Sequence, residues 1–311
     1  MRIGRRWLVA GSVVLAATGC TSQVRGSGLP GDTGSRTPSV ASTGSPTGSP
    51  GQSGRPQQVE ALEITPVAAI PPRTDQPLLR IGLRVRNPGG ELARFDPATV
   101  LLADASGATA RRTATADPAY PLFPLTITLG PGQAVIGYVP FTIDAGFRPE
   151  TIRVGQARWP VAGLTDQPPN GTILPPTRTA PLNQPVTVNG DAGGSRIDLL
   201  VRAQRLTDPA QGFPVAPGFR LVAAQLLIRN TGNTPYALAP GALWIVDDQG
   251  HVYAAVPRLD GGGLAYGTLP PRSAARTGLV GFLVPARAVL SYLEFSLPNG
   301  PPAAIAQWKV R

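Results

Sequence analysis

The sequence predicts an all-β protein that consists of two tandem β-sandwiches behind a leader and a low-complexity segment. Two observations support this prediction: apolar residues alternate with polar ones in short runs, and the second half of the chain repeats the pattern of the first. Turn signals separate these runs about every 8–12 residues, which is the spacing typical of a β-sandwich. No segment has the 3.6-residue period of an amphipathic helix.

The leader, residues 1–19, is expected to be a secretion signal, because arginines precede a short apolar run that ends in small residues. That run is shorter than the about 20 residues that a membrane-spanning helix needs. Gly19 directly precedes Cys20, which is the only cysteine of the chain. The arrangement resembles the signal peptide of bacterial lipoproteins, although Ala17 stands where that family usually has Leu, Val or Ile. The resemblance implies cleavage after Gly19 and lipidation of Cys20; plain secretion is the alternative.

Residues 20–58 are expected to form a disordered tether. After Cys20 they are almost all Gly, Ser, Thr, Pro, Gln and Arg, with no aromatic residue. Such a segment cannot bury enough apolar surface to offset the entropy lost on ordering. A flexible chain of this length reaches roughly 35 Å, which would hold the folded part away from a membrane.

The folded part is predicted to be a tandem duplication. Repeat 1 is placed at residues 59–162 and repeat 2 at residues 185–311, with a Pro-rich linker at 163–184 between them. The matched segments, each written with its counterpart in repeat 2, are 84–89 with 227–232, 137–141 with 278–282, and 157–161 with 306–310.

The first matched strand shows the two-residue period of a half-buried strand, since Ile81, Leu83 and Val85 alternate with arginines. Those arginines, Arg80, Arg84 and Arg86, are expected to form a solvated face, with anion binding as the alternative. Ala224, Leu226 and Ile228 hold the inward places in repeat 2, and both strands end at an Asn-x-Gly turn signal.

The remaining strands are predicted in order along each repeat. The predicted ranges are 100–104, 134–143 and 152–159 in repeat 1, and 243–247, 276–284, 289–297 and 305–310 in repeat 2. Hairpin loops are expected at 105–107 and 248–250. Trp159 and Trp308, which match each other near the ends of the repeats, are expected in the core.

Both repeats resemble an immunoglobulin-like domain of unknown function that is common in lipoproteins of Gram-positive bacteria. The resemblance is carried by the strand that ends at 229–232, the strand and turn at 244–250, and the strand at 278–282 followed by Pro285. It implies immunoglobulin-like β-sandwiches outside the cytoplasm, and it brings no catalytic residues. Arginine is used almost exclusively in place of lysine, with Lys309 as the sole lysine, which indicates an actinobacterial type of sequence.

Few residues of the chain are candidates for catalysis or for ligand binding. The net charge is +10, yet no run of five basic residues occurs, which argues against nucleic acid as a partner. Asp247, Asp248 and His251 adjoin a predicted hairpin loop, where an exposed tip is a poor place for a catalytic triad and offers few metal ligands. Arg111 and Arg112 could bind an anion. We expect no catalytic residue, no metal and no cofactor.

The leading hypothesis is a non-catalytic lipoprotein on the outer face of the cell membrane. Cys20 would anchor it, and the two immunoglobulin-like domains would bind a protein or an anionic envelope glycopolymer. One alternative is a hydrolase of envelope polymers that uses Asp247, Asp248 or His251. The other is a purely structural lipoprotein that stabilises the envelope.

Overall fold

The computed structural model describes residues 54–73, 77–113, 119–124, 126–166, 179–192, 195–211, 215–256, 259, 262–297 and 305–310. The leader 1–19, with Gly19, and the tether up to residue 53, with Cys20, lie outside these ranges. Over the described residues the chain is all-β, with 3₁₀ turns at Pro97–Thr99 and Pro240–Ala242 and no α-helix. Accordingly, this part of the chain contains no helix able to cross a membrane.

Ten strands form the first sandwich, and they are β1 (Gln57–Val59), β2 (Leu62–Ile70), β3 (Leu78–Arg86), β4 (Ala93–Phe95), β5 (Val100–Ala103), β6 (Arg111–Arg112), β7 (Ile127–Leu129), β8 (Ala134–Thr142), β9 (Thr151–Val154) and β10 (Ala157–Pro160). One sheet has the order β1-β2-β3-β8-β6 and faces a second sheet of order β10-β9-β5; β4 and β7 form a separate pair. Their shared core includes Ile81, Leu102 and Trp159.

Eleven strands form the second sandwich, and they are β11 (Ala180–Pro181), β12 (Val186–Ala192), β13 (Ser195–Thr207), β14 (Phe219–Asn230), β15 (Tyr236–Leu238), β16 (Leu243–Asp247), β17 (Val252–Ala254), β18 (Gly267–Leu269), β19 (Arg276–Pro285), β20 (Leu290–Ser296) and β21 (Ile305–Lys309). Its two main sheets have the orders β12-β13-β14-β19 and β11-β21-β20-β16-β17, and β15 pairs with β18.

The two sandwiches share the arrangement of their central strands. The neighbours β2-β3-β8 correspond to β13-β14-β19, and β10-β9-β5 correspond to β21-β20-β16. The registers agree as well: Trp159 lies opposite Ile152 and Ile152 opposite Leu102, as Trp308 lies opposite Leu293 and Leu293 opposite Ile245. The predicted fold class, all-β with two immunoglobulin-like sandwiches, is therefore confirmed for the described residues.

An asparagine holds the turn after the central strand of each sandwich. The Asn87 Nδ2 group donates to the carbonyl oxygens of Glu91 (2.6 Å) and Leu129 (2.9 Å), and its Oδ1 accepts from the Gly89 amide (3.0 Å). Asn230 makes the same three hydrogen bonds. Its Nδ2 group donates to the backbone carbonyls four and thirty-nine residues further along the chain, and its Oδ1 accepts from the amide two residues further along. Both side chains are fully buried. The Asn-x-Gly signal thus marks a turn that the asparagine side chain holds closed.

In each sandwich, a buried tryptophan near its C-terminal end holds the segment that leads into the first long strand. Trp159 and Trp308 are fully buried, as predicted. Their indole N–H groups donate to backbone carbonyls just before the first long strands, that of Trp159 to Arg55 at 2.8 Å and that of Trp308 to Gln184 at 2.9 Å. The indole thereby satisfies its only donor while its rings fill the core.

Three differences from the predicted strands exceed a one-residue shift of a strand end. β1 starts at Gln57, inside the range predicted for the tether, and β11 lies inside the predicted linker 163–184, where it pairs in parallel with β21. The predicted strand 152–159 is a hairpin of β9 and β10, which turns at Gly155 with a φ of 58°. The two predicted hairpin loops are present, with positive φ at Gly107 and Gly250.

Candidate functional site

The second sandwich uses both faces of its sheet β11-β21-β20-β16-β17. Leu243, Ile245 and Leu293 point into its own core. The alternate residues Trp244, Val246, Val252 and Tyr292 join the core cluster of the first sandwich instead. All five residues of β16 are consequently buried. The outer face of this sheet is therefore an interface between the two sandwiches.

A buried polar network lies in this interface. Gln133 of the first sandwich donates from Nε2 to the Tyr292 hydroxyl (2.7 Å) and to Glu294 Oε2 (3.1 Å). Gln307 donates from Nε2 to the same Glu294 oxygen (2.7 Å) and to Gln133 Oε1 (3.1 Å). Gln133 is held in turn by the Gly130 amide, which donates to its Oε1 at 2.7 Å. The network therefore connects the two sandwiches through buried side chains.

Burial determines the charge of the carboxyl group at the centre of this network. Glu294 is fully buried, and desolvation raises its pKa to about 8, against the smaller lowering effect of the amide donors of Gln307 and Gln133. Burial, followed by the proximity of Glu294, also raises the pKa of Tyr292 well above its ordinary value. At neutral pH the Glu294 carboxyl is therefore mostly uncharged.

The hairpin between β16 and β17 docks on β8, along the part of its edge that does not pair with β6. The Ile136 amide donates to the Gly250 carbonyl at 2.8 Å, and Ile136 forms a bridge with His251. The expectation of a water-exposed hairpin tip is therefore wrong for His251, whose side chain is only 15% exposed. The first sandwich covers it, which the sequence of the hairpin alone could not indicate.

Asp247 uses its carboxylate to shape this hairpin. Its Oδ1 accepts from the amides of Gln249 (3.0 Å) and His251 (2.8 Å). Its Oδ2 accepts from the Tyr253 hydroxyl (2.8 Å) and lies 3.2 Å from His251 Nδ1. Asp248 is exposed, and its Oδ1 accepts from the Gln249 side chain at 3.3 Å. Within the described ranges no group of three or more His, Cys, Asp or Glu side chains could hold a metal ion.

The arginine face predicted on β3 is only partly solvated. Arg80 is fully buried, with its guanidinium 5.1 Å from the centre of the Tyr120 ring and donating to the Leu78 carbonyl at 3.2 Å. The prediction is wrong for this residue because Tyr120 lies over it. Arg84 is partly buried, and Arg86 lies 3.9 Å from the Glu63 carboxylate.

The predicted Arg111–Arg112 pair lines a shallow cleft of about 550 Å³. Both arginines are exposed on the short edge strand β6. Thr142 and Asp144 line the same cleft, so that a carboxylate offsets part of its positive charge.

An open sheet face in the first sandwich corresponds to the buried interface of the second. Trp244, Glu294 and Gln307 lie side by side across β16, β20 and β21. Their structural counterparts across β5, β9 and β10 are Leu101, Arg153 and Arg158. Leu101 is 45% exposed, Arg158 is exposed and Arg153 is half-buried. We call this row, Leu101–Arg153–Arg158, the open row; it is the candidate binding surface, and sequence alignment alone did not single it out.

Comparison with known proteins adds one structural likeness. No family model and no curated protein matches the chain. Among solved structures, the crystal structure of MPT63, a secreted protein from Mycobacterium tuberculosis, aligns at 17% sequence identity with a TM-score of 0.34. The alignment covers 42% of this chain and 96% of MPT63.

Proposed function

We propose that this chain is a non-catalytic protein of the cell envelope that displays a pair of immunoglobulin-like sandwiches as a binding module. One observation carries the proposal: the sheet face that is an interface in the second sandwich is open in the first. The open row places an exposed leucine beside two arginines, and arginine is the residue favoured at interfaces and in phosphate recognition.

The geometry around Asp247 argues against hydrolysis at this hairpin. Both of its carboxylate oxygens accept hydrogen bonds from the same hairpin, and His251 is covered by the neighbouring sandwich. A general base must reach a nucleophile or a substrate proton, which this arrangement does not favour. Asp247 and His251 therefore serve to form the hairpin that docks on β8.

Retention of an envelope component on the open row tests the binding role. The full chain in detergent is immobilised and exposed to envelope extract, beside the variants Leu101→Asp and Val289→Asp. Val289 is a matched control because it is similarly exposed, at 37%, outside the open row. We expect one component to be retained by the wild type and by Val289→Asp but not by Leu101→Asp. Retention of nothing, or equal retention by all three proteins, would contradict the proposal.

We further propose that lipidated Cys20 anchors the protein on the outer face of the membrane. The basic, apolar and small residues that precede this cysteine support the proposal. Two acyl chains give stable membrane anchoring, whereas one gives only marginal binding. The wild type should partition into the detergent phase, and Cys20→Ala should move the protein into the aqueous phase. Equal partitioning of both forms would exclude lipid anchoring.

A further inference from the structure

We propose that the open row binds a linear polyanion that carries phosphate groups. This inference rests on the proposed binding function and names the chemistry of the partner. It follows from the charge of the row, from its width and from the use that the chain makes of the equivalent face.

The positive charge of the open row favours an anionic ligand. Arg153 and Arg158 are direct partners on β9 and β10, so that two positive side chains stand next to each other. Within the described residues neither guanidinium pairs with a carboxylate or donates a hydrogen bond, and the Arg153 Nε atom is buried without an acceptor. Like charges at facing positions of an antiparallel pair destabilise a sheet. Arginine binds phosphate through two parallel hydrogen bonds, and a phosphate between the two arginines would remove the repulsion.

The width of the open face favours a polymer over a protein. The interface sheet of the second sandwich has five strands, whereas the sheet that carries the open row has three. Two interstrand spacings of about 4.8 Å make this face roughly 10 Å wide between its outer strands. A stable protein interface buries about 800 Å² on each partner, which a face of this size does not supply. A single extended polymer chain fits such a width.

A second copy of this chain is a poor partner for the open row. In the second sandwich, the equivalent row packs against Gln133, and the adjoining hairpin packs against Ile136. Both residues are already engaged within each chain. Two open rows facing each other would bring four arginines together, which is electrostatically unfavourable.

Binding of linear polyphosphate to the full chain tests the inference. The variants are Arg153→Gln/Arg158→Gln and the control Arg229→Gln/Arg287→Gln, which removes the same charge from exposed positions of the second sandwich. We expect the first variant to bind at least tenfold more weakly and to lose part of the salt dependence, because fewer counterions are released. The control should bind within about twofold of the wild type. Inorganic phosphate at the same phosphate concentration should displace little polymer.

Several outcomes would overturn the inference. They are unchanged binding in the Arg153→Gln/Arg158→Gln variant, equal weakening in the control, and full displacement by inorganic phosphate. The proposed function can be judged separately with the envelope extract. If protease treatment of the extract abolishes the retention that depends on Leu101, the retained component is a protein, and only the polyanion inference fails. If the untreated extract yields no retained component, the binding function itself fails.

Discussion

Glu294 shows how one residue can report on the contact between the two sandwiches. It is fully buried, it accepts hydrogen bonds from Gln133 of the first sandwich and Gln307 of the second, and its pKa is raised to about 8. A lone acidic residue inside the apolar strand β20 was visible in the sequence. Its burial was not predicted, because the repeat pattern places it on an outward face and does not show what covers that face.

Replacing Glu294 with Gln should change how stability depends on pH. The folded-state pKa of about 8 lies above the ordinary value of 4.5, so the folded protein binds the proton more tightly than the unfolded chain. The contribution of Glu294 to wild-type stability should therefore be fully present below about pH 4.5 and should be lost as the pH rises towards 8. In Glu294→Gln this loss should be reduced. The measurement is the free energy of unfolding in urea at a series of pH values.

The control for this experiment is Glu91→Gln, which removes an exposed carboxyl group from the first sandwich. It should keep the wild-type decrease in stability between pH 4.5 and 8. An identical pH profile for the wild type and Glu294→Gln would show that the buried carboxyl group is not the source of the decrease.

At the scale of the strands, local sequence patterns predicted much of the fold. The strand Leu243–Asp247 was predicted with its observed bounds, and the strand Ala134–Thr142 within one residue. The hairpin β9–β10 was predicted as one strand, because the apolar alternation continues across its short turn at Gly155. A signal for the interface was also present: the continuous apolar run 243–246 is typical of a strand buried on both faces, not of one with a solvated side.

The asparagine turns give a paired prediction at the same scale. Asn87→Ala and Asn230→Ala should each destabilise the protein by about 2–4 kcal/mol, because each removes three hydrogen bonds and leaves buried backbone carbonyls unsatisfied. The measurement is the denaturant midpoint for each variant. Asn189→Ala, in the edge strand β12, is the control and should have a smaller effect. A small effect at only one of the two sites would show that the turns are not equivalent.

At the scale of the whole molecule, the two sandwiches use corresponding sheet faces differently. The row Trp244–Glu294–Gln307 packs against the first sandwich, while in the open row Leu101 and Arg158 are exposed and Arg153 is half-buried. The repeat pattern predicted two copies of one unit. It could not predict their contact, because alignment of the copies shows what they share, whereas the contact depends on the residues at which they differ.

Calorimetric unfolding of the full chain tests most directly whether this row joins the two sandwiches. The test variant is Trp244→Leu/Glu294→Arg/Gln307→Arg, which places the open row in the second sandwich; the first sandwich already folds with these residues at the equivalent positions. We expect one cooperative transition for the wild type and two separate transitions for the variant. Two transitions in the wild type, or one transition with an unchanged midpoint in the variant, would contradict the account.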